Sequence, residues 1–196
     1  MSNIHPILEG LLKGEQKEQA LKQRAKVIWM VGLSGSGKST LAKLLEKELF
    51  ARGFYTMLLD GDNLRTGINK NLGFSKEDRV ENIRRAAEVS KLFAENGTIT
   101  ICSLISPTKE VREMAREIIR GKYVEVYIKC PLEVCEERDV KGLYKKARKG
   151  LIKDFTGIGS VFEEPEAPDL LINTHIETEE ESLKRLVEYI VPLVKY

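Results

Sequence analysis

The stretch Gly32-Leu33-Ser34-Gly35-Ser36-Gly37-Lys38-Ser39 follows an apolar run, Val27-Ile28-Trp29-Met30-Val31, and precedes a helical pattern opening Thr40-Leu41-Ala42. This is the G-x-x-x-x-G-K-[ST] spacing in a strand, loop and helix setting. Gly32, Gly35 and Gly37 permit backbone conformations that a Cβ would forbid, so successive N–H groups can converge on phosphate oxygens. The helix that starts at the end of the loop adds the positive end of its dipole. Lys38 brings a mobile charge to the β- and γ-phosphates of a nucleoside triphosphate. Ser39 can place its hydroxyl on a Mg2+ ion bridging them. A glycine-rich turn that merely joined strand to helix would need neither Lys38 nor Ser39.

The rest of the chain alternates in type. Strands are expected at Val27–Val31, Tyr55–Leu59, Thr98–Ile105, Tyr123–Cys130 and Asp169–Ile172. Helices are expected after the phosphate loop as far as Gly53, from Ser75 to Asn96, over Lys109–Arg120, over Leu132–Arg138 and over Glu179–Val194. Ser75 reads as an N-cap with Asp78 as an imperfect capping box. Asn69–Phe74 reads as a loop. Such alternation gives an α/β fold, a parallel sheet of about five strands with helices on both faces. Residues 26–196 form the domain. Residues 1–25 form a polar helical segment, with apolar points at Leu8, Leu11, Leu12 and Leu21, that packs on the domain or on a partner subunit; His5 within it reads as solvated. Ligands of parallel α/β sheets lie outside the carboxyl ends of the strands. The phosphate loop, Asp60–Asp62, Ile105-Ser106 and the turn after Cys130 should therefore meet at one crevice.

Composition narrows the partners. Apolar residues make up 42% of the chain and charged residues 32%, the balance of a soluble globular protein, and a net charge of +2 favours neither nucleic acid nor an acidic tail. The cysteines, Cys102, Cys130 and Cys135, form no C-x-x-C pair, which fits a reducing compartment without structural disulfides or zinc. No stretch reads as a signal peptide or reaches membrane-spanning length, so the expected location is the cytoplasm.

Three further groups carry chemistry. Asp60-Gly61-Asp62 puts two carboxylates at a strand end, where phosphoryl transfer needs help with Mg2+ and with the attacking hydroxyl. Asp62 is the stronger candidate for both, with Asp60 in support or capping a turn. Arg79 and Asn82, spaced i and i+3, share a helix face suited to a small anionic substrate, or else to solvent; Arg84 and Arg85 read as solvated. The basic run Lys141, Lys145, Lys146, Arg148, Lys149 and Lys153, punctuated by Gly142, Gly150 and Gly157, suggests a mobile lid over about 138–160. Phe155 either stacks on a base or packs. A guanine-reading Asn-Lys-x-Asp is not matched by Asn69-Lys70-Asn71-Leu72 or Thr108-Lys109-Glu110-Val111, which argues against a GTP switch.

Taken together, Gly32 to Thr40, Leu59-Asp60-Gly61-Asp62-Asn63-Leu64-Arg65, Leu72-Gly73-Phe74-Ser75, Asp78-Arg79 with Asn82-Ile83-Arg84-Arg85, Ile105-Ser106-Pro107, Lys141-Gly142-Leu143-Tyr144-Lys145-Lys146-Ala147-Arg148 and Phe155-Thr156-Gly157-Ile158 resemble the adenylyl-sulfate kinase family, in the family's order from about Val27 to Ile172. The resemblance implies a P-loop kinase-type fold and transfer of the ATP γ-phosphoryl group to the 3′-hydroxyl of adenosine 5′-phosphosulfate (APS). It implies that Gly32, Leu33, Ser34, Gly35, Ser36, Gly37, Lys38, Ser39, Thr40 and Arg138 meet ATP. Asp62, Arg65, Phe74, Arg79, Asn82, Ile105, Ser106, Lys141 and Phe155 would form the APS site. Phe74 and Phe155 would then sandwich the adenine, and Arg65, Arg79 and Asn82 would take the phosphosulfate. The serine matching Ser106 is treated in the family as a phosphoserine intermediate, although in-line transfer needs no covalent step. A homodimer is also implied. Ile4-His5-Pro6, where the family often has Trp-His, bears on any dimer contact made there, and Leu151-Ile152-Lys153-Asp154 departs from commoner lid forms. Two other readings stand beside this one: another small-molecule P-loop kinase, such as a nucleoside or sugar kinase, and a nucleotide-dependent switch module.

Overall fold

The computed structural model describes Asn3, His5 and residues 10–196. In chain order the elements are α1 (Gly14–Leu21), β1 (Val27–Val31), α2 (Lys38–Ala51), β2 (Thr56–Asp60), α3 (Gly61–Thr66), α4 (Lys76–Glu95), β3 (Ile99–Ser103), α5 (Lys109–Ile119), β4 (Tyr123–Lys129), α6 (Leu132–Arg138), α7 (Leu143–Arg148), β5 (Leu170–Asn173) and α8 (Glu179–Val194). The five strands form one parallel sheet in the order β2-β3-β1-β4-β5. The α/β architecture expected from the alternation is borne out.

Both faces of the sheet are covered, and β1 shows why. Every one of its residues is sealed from solvent. Successive strand side chains point to opposite faces, so Val27, Trp29 and Val31 join Ile83, Ala87 and Ala115 of α4 and α5. Ile28 and Met30 join Leu41, Leu45 and Leu49 of α2 with Leu186, Ile190 and Val194 of α8. Each large apolar side chain so buried contributes about 1.5–3 kcal/mol. The register, Met30 beside Ser103 and Val31 beside Tyr127, aligns the carboxyl ends of β3, β1 and β4 on one edge.

Several local expectations shift. The N-terminal helix is only Gly14–Leu21, and Leu11 and Leu12 are exposed; Leu8 lies outside the described residues. His5 is exposed, as a solvated histidine would be. α3 and α7, six residues each, were not anticipated, being too short to show a helical period. Ser75 caps α4 by accepting from Asp78 N–H at 3.1 Å, but the Asp78 carboxylate turns away to accept from Gly73 N–H at 2.9 Å.

The segment before β1 packs on the chain's own domain. Gln23 is fully buried; its amide donates to Tyr55 O at 2.9 Å and Gly97 O at 2.8 Å and accepts from Tyr55 N–H at 2.7 Å. One side chain thus ties the approach to β1 to the starts of β2 and β3. Gln23→Leu removes these three bonds and strands the buried Gly97 carbonyl, while Tyr55 O keeps the Ile99 N–H at 3.2 Å. It should lower the unfolding free energy by about 2–4 kcal/mol, read by chemical denaturation; an effect below about 0.5 kcal/mol would contradict the clamp.

Candidate active site

The loop between β1 and α2 is built by close approach. A Cβ on Gly32 would lie 2.5 Å from Ile128 O and 2.8 Å from Ser36 Oγ, so only glycine lets the chain leave β1 against β4. Gly37 sits at φ +96° as the N-cap of α2 and supplies no side-chain cap. Among the described residues nothing accepts from the N–H groups of Gly35, Gly37, Lys38, Ser39 or Thr40. Donors left over at a helix N-terminus form a ready anion cradle.

Lys38 lies beneath that cradle. Its ammonium donates to Leu33 O at 2.6 Å, with Ser36 Oγ at 3.4 Å, and the residue is buried. Burial pushes its pKa down to about 8, while the Asp60 and Asp62 carboxylates oppose the shift. The Ser39 hydroxyl donates to Asp60 Oδ2 at 2.7 Å and lies 3.1 Å from Ser103 Oγ. Asp60 also caps α3, accepting from Asp62 N–H at 3.0 Å. The carboxylate that Ser39 meets is therefore Asp60, and Asp62 instead pairs with Lys141 of the lid. Ser103, which no motif marked, completes this oxygen cluster from the end of β3.

The sheet order divides the remaining groups. Beyond β1 on one side come the ends of β4 and β5. There Arg138, closing α6, donates to Thr174 O at 2.6 Å and approaches Gly35 O at 3.4 Å, and Thr174 Oγ1 donates to Ser36 O at 2.7 Å. Thr174 was missed, although its place just past a strand end was a usable signal. On the other side come the ends of β2 and β3, carrying α3, the 67–74 loop, α4 and Ile105-Ser106. Arg65 donates to Gly73 O at 2.7 Å and lies over the Phe74 ring at 4.5 Å. Arg79 donates to Phe74 O at 2.9 Å, to Thr156 Oγ1 at 3.0 Å and to Asp154 O, so it joins α4 to the lid. Neither Arg65 nor Arg79 forms an ion pair among the described residues; Asp62 and Asp78 stand near the first and Asp154 near the second without pairing directly. Asn82 is buried one turn along α4 from Arg79 and accepts from Asn69 Nδ2 at 3.0 Å.

Two expected placements look different in space. Phe74 is exposed, but Phe155 packs edge-on against Tyr144 at 5.0 Å, within a small cluster with Leu33 and Cys135. Tyr144 roots the lid by donating to Ser34 O at 2.8 Å. Ile105 is half-buried, and its carbonyl takes the Gly32 N–H at 3.4 Å. Ser106 is fully buried at φ +48°; its Oγ accepts from Trp29 Nε1 at 2.9 Å and its carbonyl from Arg112 at 3.2 Å. Arg84 and Arg85 grip Glu81 at 2.6 and 2.8 Å, as a helix-surface network would.

The depressed lysine pKa gives a signed pH prediction. In the free protein Lys38 loses its proton as pH rises through about 8, and phosphate oxygens would restore it. Triphosphate binding at about pH 8.5 should therefore take up a proton, and affinity should fall as pH rises above about 8. Calorimetry in buffers of different ionisation enthalpy measures the uptake, which Lys38→Met should abolish. Equal uptake in both proteins would assign it elsewhere.

Comparisons with known proteins identify the family. The family described as Adenylylsulphate kinase matches residues 24–173. The chain is 56% identical to an adenylyl-sulfate kinase of Bacteroides fragilis over 194 residues, covering 98% of this chain and 96% of that protein. It is 55% identical to an adenylyl-sulfate kinase of Clostridium acetobutylicum over 182 residues, covering 93% and 91%. Among solved structures, the Mycobacterium tuberculosis APS kinase CysC in complex with AMPPNP and APS superposes with a TM-score of 0.82 at 43% identity, over 86% of this chain and 98% of that one. On the matched length and identity, this chain belongs to the adenylyl-sulfate kinase family.

Proposed function

We propose that the cleft transfers the γ-phosphoryl group of ATP to the 3′-hydroxyl of APS, giving 3′-phosphoadenosine 5′-phosphosulfate. The single observation that carries the reading is the division of the sheet edge. A phosphate cradle with Arg138 and Thr174 lies on the β4–β5 side, two arginines bonded to carbonyl and hydroxyl oxygens and not to carboxylates lie on the β2–β3 side, and Asp60–Asp62 stand at the junction. That layout suits two anionic nucleotides whose reacting groups meet over the carboxylates.

The residues then divide the work. The free N–H groups of Gly35 and of Gly37 to Thr40 hold the donor phosphates, and Lys38 stabilises the charge that builds up on the transferred group. Arg65 and Arg79 take the phosphosulfate through charge-assisted bonds, exchanging their present carbonyl partners for anionic oxygens. Asn82 and the backbone at Ile105-Ser106 line the same subsite. Phe74, with Phe155 behind the lid, offers ring faces to the acceptor base. Asp62 is exposed and would accept the proton of the attacking hydroxyl once Lys141 leaves it for the phosphates. The oxygen cluster fits a small hard cation: Ser39 and Asp60, with Asp62 adjoining, would hold Mg2+, which neutralises β- and γ-phosphate charge when bound. We assign the reaction to sulfate assimilation, with the cytoplasm as the location expected from the sequence and a homodimer, implied by the resemblance, as the working unit.

Ser106 is read as a structural acceptor for Trp29, not as a carrier of phosphate, because its hydroxyl oxygen is sealed and already occupied. The test is an assay for 3′-phosphorylated product from APS and MgATP. Lys38→Ala should abolish turnover with the fold intact. Ser106→Ala should lose about 1–3 kcal/mol of stability from the stranded indole N–H yet keep measurable turnover. Wild-type protein that phosphorylates sugars or nucleosides and not APS would overturn the reading; loss of all activity in a folded Ser106→Ala protein would overturn the role given to Ser106.

A further inference from the structure

The buried side-chain atoms left without any partner among the described residues are Asn69 Oδ1, Thr98 Oγ1, Thr100 Oγ1 and Asn173 Oδ1. Of these, only Asn69 Oδ1 belongs to a residue in contact with the acceptor side of the cleft. Asn69 lies in the turn after α3 and is fully sealed. Its backbone is fixed at both ends: its N–H donates to Leu64 O at 2.9 Å, and its carbonyl accepts from Leu72 N–H at 3.0 Å. Its side chain makes one hydrogen bond, from Nδ2 to Asn82 Oδ1 at 3.0 Å.

We infer that Asn69 is a positioning residue that fixes which end of the Asn82 amide faces the acceptor. A carboxamide presents two N–H donors at one end and acceptor lone pairs at the other, and a half-turn exchanges them. Asn69 Nδ2 can only donate. By doing so it holds Asn82 with the oxygen turned inward. Asn82 Nδ2 is not among the sealed, unpartnered atoms and donates to nothing among the described residues, so it retains contact with solvent and is available to a ligand. Its donors suit the oxygens of a phosphosulfate. The reversed amide would turn lone pairs toward an anion. A side chain serving the fold alone would not need an amide in a sealed volume where its own oxygen finds no partner, since such groups weigh against stability. Asn69 touches no substrate in this account; it acts through Asn82. In sequence Asn69 reads as an ordinary polar residue opening the 69–74 loop, and nothing local marks its bond to Asn82 thirteen residues on.

The inference rests on the acceptor reading of the preceding subsection, and the experiment separates the two. APS is titrated onto the protein holding a non-hydrolysable ATP analogue, first with the wild-type chain. Absence of binding there would overturn the functional reading itself. With wild-type binding established, Asn69→Leu should weaken APS by about tenfold and the ATP analogue by less than about threefold. In an Asn82→Ala background the same substitution should change APS affinity by less than about twofold, because the amide it orients is gone. Unchanged APS affinity in Asn69→Leu, or an undiminished loss in the Asn82→Ala background, would overturn the inference. Thermal unfolding checks each variant, with Asn69→Ala as the smaller replacement if leucine overpacks. If both melt below the assay temperature, Asn69 serves the fold and the inference fails.

Discussion

The close approach of the backbone at Gly32 to the carbonyl of Ile128 fixes the position of the phosphate loop. β1 is sealed on both faces and flanked by β3 and β4, so its carboxyl end has no freedom to move without disturbing two core layers. The loop must turn within the width of one glycine, and the turn delivers Lys38 to a buried position below the unpaired N–H groups. Burial of that lysine lowers its pKa, and phosphate would raise it again. The same packing that stabilises the domain therefore pre-organises charge for an anion, at the expense of a destabilised free lysine.

The cleft is also self-satisfied. Lys38 rests on Leu33 O, Ser39 on Asp60, Lys141 on Asp62, and Arg79 on the lid at Thr156 and Asp154. Each of these contacts is an exchangeable stand-in for a ligand atom. The exposed Lys141–Asp62 pair is weak in water and easily traded. By contrast, the lid's root is firm: Tyr144 is buried and bonded to Ser34 O, and Asp139 caps α7 by accepting from Tyr144 and Lys145 N–H at 3.0 Å. Closure is then a local movement of the outer lid about a fixed base, which is how a lid excludes water without unfolding.

The large-scale fold was legible because its signals are local and periodic. Pro131 and Thr178 bound α6 and α8, and both helices occupy the spans their sequence marks. β2 and β5 are each displaced by one residue, which is the usual play at strand ends. Short helices escaped: six residues in α3 and α7 give less than two turns of pattern. In the site, motif positions were legible and their pairings were not. The bond from Trp29 to Ser106 spans 77 residues, and Thr174 meets Ser36 across 138. Nothing in the local spacing says that Ser39 would meet Asp60 rather than Asp62, because the choice is made by the turn into α3. Phe155 shows the same limit: the sequence leaves stacking and packing both open, and only the fold brings Tyr144 edge-on beside it.

The central claim is direct transfer between two nucleotides held on opposite halves of one sheet edge, with no phosphate carried by the protein. The most direct measurement uses ATP whose γ-phosphorus is made chiral with oxygen isotopes and sulfur, followed by configurational analysis of the 3′-phosphorylated product. A single in-line displacement at phosphorus inverts configuration, and the account predicts inversion. Retention would require two displacements, place the phosphoryl group on a protein side chain between them, and contradict the account.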